Sequence, residues 1–202
     1  MASWIEGIVQ STGVFGIAFL MFLENLFPPI PSELIMPLAG YIAAQGQANI
    51  ALIIVAGTIG SLAGGFFWYA IGRWVGEERL KRIADGYGRW LTLSRQDIDK
   101  ADDWFDQHGH KAVLAGRLVP TVRTLISIPA GLSEMPVRRF LIYSAIGTTA
   151  WTTILALLGY GLGSHYERVG AWVDPVSYGV LGLIVLIYIY RVVTFKKGQV
   201  RT

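Results

Sequence analysis

Three features of the sequence predict an all-α integral membrane protein built as an inverted repeat. The composition is apolar, the charges are confined to a few places, and two short broken hydrophobic segments are each followed by one long enough to span a bilayer. Of 202 residues, 53% are hydrophobic and 15% charged, and the mean hydropathy is +0.48. Soluble domains carry about 25% charged residues. The length suits one domain over residues 1–202. Cysteine is absent, which removes disulfides, thiolate metal sites and redox couples. The net charge of +3 is sparse and matters more by position than by sum, unlike a nucleic-acid footprint.

The elements follow in chain order. Residues 13–47 hold two apolar pieces joined by Glu24-Asn-Leu-Phe-Pro-Pro-Ile-Pro-Ser-Glu33. Each piece is too short for a crossing, which needs about 20 apolar residues. The segment therefore reads as a re-entrant hairpin, whose broken backbone must be buried in protein or line a wet cavity. Residues 49–73 are uncharged up to Arg73 and form the first predicted span. Residues 77–110 are polar. Within them Ser94 and Asp97 resemble a helix cap, and Ile98, Ala101, Trp104 and Phe105 share one face, so an amphipathic surface helix is predicted. Residues 111–135 form a second short hairpin, interrupted by Pro120 and Pro129. Residues 140–164 and 176–195 are the second and third predicted spans.

Position fixes orientation. The first 72 residues contain neither Lys nor Arg. Fourteen of the 17 basic residues lie in 73–111, at 138–139 and beyond 190, all on one side of a three-span topology. By the positive-inside rule that side is the cytoplasm. The N-terminus is then outside and the C-terminus inside, with the first hairpin on the outer face and the second on the inner. The repeat itself is faintly visible. Pro37-Leu-Ala-Gly40 echoes Pro129-Ala-Gly131, and Gly57, Thr58, Tyr69 and Gly72 echo Gly147, Thr148, Tyr160 and Gly163.

Four charges remain inside the hydrophobic hairpins: Glu24 and Glu33 in the outer, Arg117 and Arg123 in the inner. Each costs roughly 2.5–3.5 kcal/mol at the bilayer centre on insertion scales, so such groups are retained for function by default. A purely structural reading makes them two ion pairs clamping the hairpins. The functional reading gives Arg117 and Arg123 a phosphate, which the guanidinium fork fits. Glu24 and Glu33 can then take and release protons. Ser32 opens the returning half-helix and can cap it, and an anion is favoured at such a helix start. Gly60, Gly64, Tyr69 and Gly72 form a small-residue face on the first span, which suits close helix packing.

Other motifs carry less. Asp102, Asp103 and Asp106 match DDxxD but stand alone on the polar face of the predicted surface helix. His108 and His110 lack a third ligand. No metal or cofactor is expected, and no nucleophile–His–acid set, HExxH or P-loop is present.

The hairpin residues resemble a known family. Glu24-Asn-x2-Pro28-Pro-Ile-Pro31-Ser32-Glu33 is similar to the first signature of the DedA (VTT-domain) family. The glycine pattern from Gly60 to Gly76 is similar to the second. Gly116-Arg117-x2-Pro120-x2-Arg123-x6-Ala130-Gly131-x3-Met135 is similar to the third. Ala115 and Leu118 depart from common residues of the third signature. The resemblance implies a bacterial inner-membrane protein with two opposed re-entrant hairpins, and lipid movement across the bilayer. Family members return undecaprenyl phosphate to the cytoplasmic leaflet, and their essential acids and arginines map onto Glu24, Glu33, Arg117 and Arg123. The expectation is a non-enzymatic flippase for undecaprenyl phosphate or another anionic lipid, coupled to protons, with room for a homo-oligomer. The alternatives are a phospholipid scramblase or phosphatidylethanolamine flippase, a proton-coupled small-solute transporter, and a lipid-phosphate phosphatase.

Overall fold

A computed structural model describes residues 7–8, 12–26, 32–91, 94–119, 122–162, 186, 189–190 and 192–194. Its regular elements are all helices: α1 (Val14–Leu26), α2 (Ser32–Ala44), α3 (Ile50–Leu91), α4 (Arg95–Arg117), α5 (Ser127–Leu132) and α6 (Val137–Leu162). Pro28, Pro31 and Pro120 lie outside the described residues, as does most of the expected span at 176–195.

Local chemistry sets the helix ends. Gly46 at φ 76° closes α2. Its N–H reaches the Ala43 carbonyl, and that of Gln47 reaches Ile42, a pair of bonds that satisfies the last carbonyls of a helix. Asn49 then starts α3, its Oδ1 accepting from the Ala51 N–H at 2.8 Å. Gly76 at φ 67° breaks α3, and Gly109 at φ 47° breaks α4; both need the freedom that glycine has at positive φ. Residues 50–75 are thus one apolar helix of about 39 Å at 1.5 Å per residue. α6 is likewise apolar and 26 residues long. α1 and α2 have 13 residues each, about 20 Å, well short of a 30 Å hydrocarbon core.

The polar insert holds the helix expected after Ser94, and the structure adds a second helix before it. The stretch after Gly76 continues as helix to Leu91, and a second helix starts at Arg95. Lys81 joins them by pairing with Glu77 on its own helix and with Asp99 at 2.6 Å across the gap. Arg95 clasps Asp85 through two nitrogens. Ile98 and Phe105 are buried beneath, as expected of the apolar face. Asp102 is not merely solvated, since the Ser133 hydroxyl donates to it at 2.8 Å and fastens the insert to the end of α5.

Glycines set how the hairpins meet the long helices. A Cβ on Gly60 would sit 2.0 Å from the Ala18 carbonyl, and one on Gly64 2.5 Å from the Asn25 Cβ. Contacting positions rise together, so α1 and α3 run in the same direction. α2 packs instead on α6, where Gly159 fits under the Pro37 carbonyl and Gly40 under that of Ala156. The second half repeats the scheme with roles exchanged. The 110–117 arm of α4 packs on α6, while α5 packs on α3 with Gly72 under Ile128 and Gly131 under Tyr69. α1 with α2, and the 110–117 arm with α5, therefore each pack on both long helices. These reciprocal pairs match Gly72 with Gly159, one helical turn earlier than the Gly163 expected from the sequence echo.

The packing is unforgiving at these points. Gly159→Ala would place a methyl 1.9 Å from the Pro37 oxygen, against backbone that cannot swing away. A loss of about 2–3 kcal/mol is expected, as for an overpacked core. Gly161→Ala, with no atom within 4 Å of the added Cβ, should be neutral. Thermal unfolding of both variants in detergent checks the pair.

Apolar side chains line the exterior as well as the core. Leu52, Ile59 and Phe15 are 56%, 59% and 81% exposed. Glu24, Asn25, Arg117, Arg123, Ser127, Ser144 and Thr152 are buried. Soluble monomers rarely leave contiguous apolar surface this large. An apolar exterior, with the polar side chains kept inside among apolar core residues such as Ile17, Leu20, Met21 and Ile35, is an arrangement a bilayer solvent tolerates.

Candidate functional site

The site lies where the C-terminal end of α1 meets the turn region between α4 and α5. Glu24 sits near the C-terminal end of α1, in a helix otherwise apolar up to that point. Arg123 sits in the turn region between α4 and α5, its N–H bonded to the Val119 carbonyl at 2.9 Å. Its guanidinium pairs with the Glu24 carboxylate through Nη2 and Oε1, joining residues 99 positions apart, and both side chains are almost wholly buried. Burying an ion pair is costly unless the remaining lone pairs are also satisfied. Here Asn25 Nδ2 donates to the second Glu24 oxygen at 3.0 Å.

Arg117 ends α4 and is 2% exposed, yet it faces no carboxylate in an ion pair among the described residues. Its donors go to neutral oxygens. Nη1 reaches the Arg123 carbonyl at 3.0 Å, Nη2 the Ser127 hydroxyl at 3.0 Å, and Nε the Ser144 hydroxyl at 3.3 Å. The guanidinium lies 5.6 Å from the Phe140 ring centre, a cation–π distance. Phe140 in turn stacks on Tyr69 at 4.4 Å. The Tyr69 hydroxyl donates to the Met135 carbonyl and accepts from Arg73 at 2.9 Å.

Two glycines make room for Arg117. A Cβ on Gly65 would fall 2.2 Å from Nη2, and one on Gly147 2.7 Å from the Arg117 Cβ. One glycine comes from each long helix, so the cation sits between the two halves. Its bond to the Arg123 carbonyl then fixes the turn that presents Arg123 to Glu24.

Glu33 is placed differently from Glu24. It lies in the first turn of α2, where the helix dipole favours a negative charge. It is within electrostatic reach of Glu24 but forms no ion pair among the described residues, and its Oε1 is buried without a hydrogen-bond partner. The Ser32 hydroxyl beside it is wholly buried and also unpartnered.

The structure thus brings together Glu24, Arg117 and Arg123, with Glu33 within electrostatic reach of the first and Ser32 next to Glu33 in the chain. Gly60, Gly64, Gly72, Gly131 and Tyr69 pack the hairpins around them. Sequence reasoning missed Asn25, Ser61, Gly65, Ser127, Ser144 and Gly147. The usable signals were faint: Asn25 directly follows Glu24, and Gly65 doubles Gly64. Among the described residues no group of three His, Asp or Glu could hold a metal ion.

A family model described as the VTT domain matches residues 30–161. An alkaline phosphatase-like protein of Lactococcus lactis subsp. cremoris is 38% identical over 200 residues, 98% of this chain and 94% of that protein. Undecaprenyl phosphate transporter A of Staphylococcus aureus is 34% identical over 203 residues, the full length of both chains. Undecaprenyl phosphate transporter A of Bacillus subtilis is 32% identical over 206 residues, 98% of this chain and 100% of that one. No solved structure matches.

Proposed function

The chain belongs to the VTT-domain (DedA) family, and on that premise we propose that it is a bacterial membrane transporter that moves a lipid phosphate, foremost undecaprenyl phosphate, across the bilayer. The observation that carries the reading is the buried pair between Arg123 and Glu24, one charge from each hairpin. A buried cation whose one ion-pair partner among the described residues is a titratable acid can exchange that acid for another anion. When Glu24 takes a proton, Arg123 is released to a phosphate oxygen. When the phosphate leaves, Glu24 gives up the proton and closes the pair. Arg117, whose bonds all run to protein oxygens, holds the Arg123 turn in place and adds a second positive charge to the field the phosphate meets. Glu33 is the nearby acid without an ion pair among the described residues and offers a second station for the proton. The polyprenyl tail stays in the surrounding lipid, against the exposed apolar faces of α3 and α6.

The proposed frame is a single domain with re-entrant hairpins at 13–47 and 111–135 and spans at 49–73, 140–164 and 176–195. The N-terminus lies outside and the C-terminus in the cytoplasm. The names of the Staphylococcus and Bacillus relatives support lipid-phosphate transport at full chain length. The name of the Lactococcus relative points instead to phosphate-ester cleavage, which one experiment separates. Pure protein in vesicles is given a fluorescent polyprenyl phosphate, and a membrane-impermeant quencher reports leaflet exposure while free phosphate is assayed. Transfer between leaflets that follows an imposed proton gradient, without phosphate release, is expected. Phosphate release would favour the hydrolase. Equal transfer of zwitterionic phospholipid, without proton dependence, would favour a scramblase.

A further inference from the structure

One oxygen of Glu24 meets Arg123, and the other accepts from the side chain of the next residue, Asn25. Asn25 is wholly buried, and its Nδ2 lies 3.0 Å from each of three acceptors: Glu24 Oε2, the Met21 carbonyl and the Ser61 hydroxyl. A carboxylate and a carbonyl accept only, so the amide must turn its nitrogen towards them, and its rotamer is settled. The rest of Asn25 is gripped by α3. The Trp68 indole N–H donates to its carbonyl at 2.8 Å, and Gly64 leaves the gap its Cβ occupies. Positions 61, 64 and 68 fall on one face of α3 at helical spacing.

We propose that Asn25 is a positioning residue for lipid-phosphate transport: its amide turns one Glu24 oxygen to face Arg123 and ties that ion pair to the long helix α3. The amide has two N–H groups for three acceptors. While Glu24 is charged, it draws one N–H by the stronger, charge-assisted bond. When Glu24 is neutral, the same N–H is free to favour Ser61. The charge on Glu24 is thereby read by the helix that also carries Gly65 beside Arg117. The charged groups around this point are Glu24 on α1, Glu33 on α2, and Arg117 and Arg123 of the inner hairpin. α3 faces it with Ser61, Gly64 and Trp68, none of which titrates at ordinary pH.

This rests on the transport reading above, so the test has one arm that uses transport and one that does not. In vesicles carrying fluorescent polyprenyl phosphate, Asn25→Ala should be about tenfold slower at every pH, the loss expected for one hydrogen bond to a charged group. Asn25→Asp should be slow near neutral pH and recover towards the wild-type rate in acid, where a neutral carboxylic acid again offers a donor. A merely structural role would not produce that pH signature. In detergent without lipid substrate, the infrared carboxylate band of Glu24, assigned by its loss in Glu24→Gln, should move in Asn25→Ala. An Asn25→Asp rate that keeps a constant ratio to wild type across pH, or a Glu24 band that does not move, overturns the assignment. If wild-type protein moves no lipid phosphate at all, the transport reading fails, and the infrared band still decides whether Asn25 orients Glu24.

Discussion

Glu24→Leu alone is expected to destabilise the protein by about 3–5 kcal/mol, because it strands the Arg123 guanidinium in a buried site with no counter-charge. Arg123→Met alone should cost a similar amount by stranding the carboxylate. The double variant Glu24→Leu/Arg123→Met should recover most of that loss. Replacing a whole buried pair by apolar groups of similar volume is often neutral or even stabilising. Thermal unfolding in detergent measures all three. The double variant also separates the two roles of the pair. If the charges only clamp the hairpins, a stable apolar clamp should still transport. If they carry the chemistry, the double variant is folded and inactive, and that is the expected result.

The second large effect concerns Gly65. Alanine there puts a methyl 2.2 Å from Arg117 Nη2. The guanidinium is the far end of a flexible side chain and will move, but moving breaks its bonds to Ser127 and to the Arg123 carbonyl. Hydrogen bonds from a charged donor contribute about 1.5–3 kcal/mol each. The expectation is a loss of about 2–4 kcal/mol and transport reduced at least a hundredfold, since the Arg123 turn loses its support. Gly86→Ala, in the polar insert with no atom near the added Cβ, is the control and should change neither. A Gly65→Ala protein with wild-type transport would mean that Arg117 does not hold the Arg123 turn.

Much of this was legible in the sequence because membrane burial makes charge conspicuous. Glu24, Glu33, Arg117 and Arg123 stand out in apolar segments, and α3 and α6 are long enough to read as single elements. Short helices bracketed by proline marked α1 and α2. The partner choice was not legible: nothing in the spacing says that Arg123 meets Glu24 rather than Glu33. Nor was the division of labour between the arginines, because Arg117 is held by Ser127, Ser144 and a backbone carbonyl. Serines at helical spacing look like any small polar residue. Asn25 was hidden for the opposite reason, since its neighbour's charge drew the attention. Gly65 and Gly147 could not be told from packing glycines until the cation between them was placed. The repeat register slipped by one turn because glycines repeating every three or four residues match themselves again after four. The break at Gly76 was visible as a change from apolar to polar sequence, but the left-handed conformation behind it was not.

Exchange of the buried pair for a lipid phosphate can be read by native mass spectrometry of the lipid retained on purified protein. Wild-type protein extracted from bacterial membranes should carry a polyprenyl phosphate. The stable Glu24→Leu/Arg123→Met variant should lose that species while keeping ordinary phospholipid. The same polyprenyl phosphate at the same occupancy on both proteins would contradict that exchange.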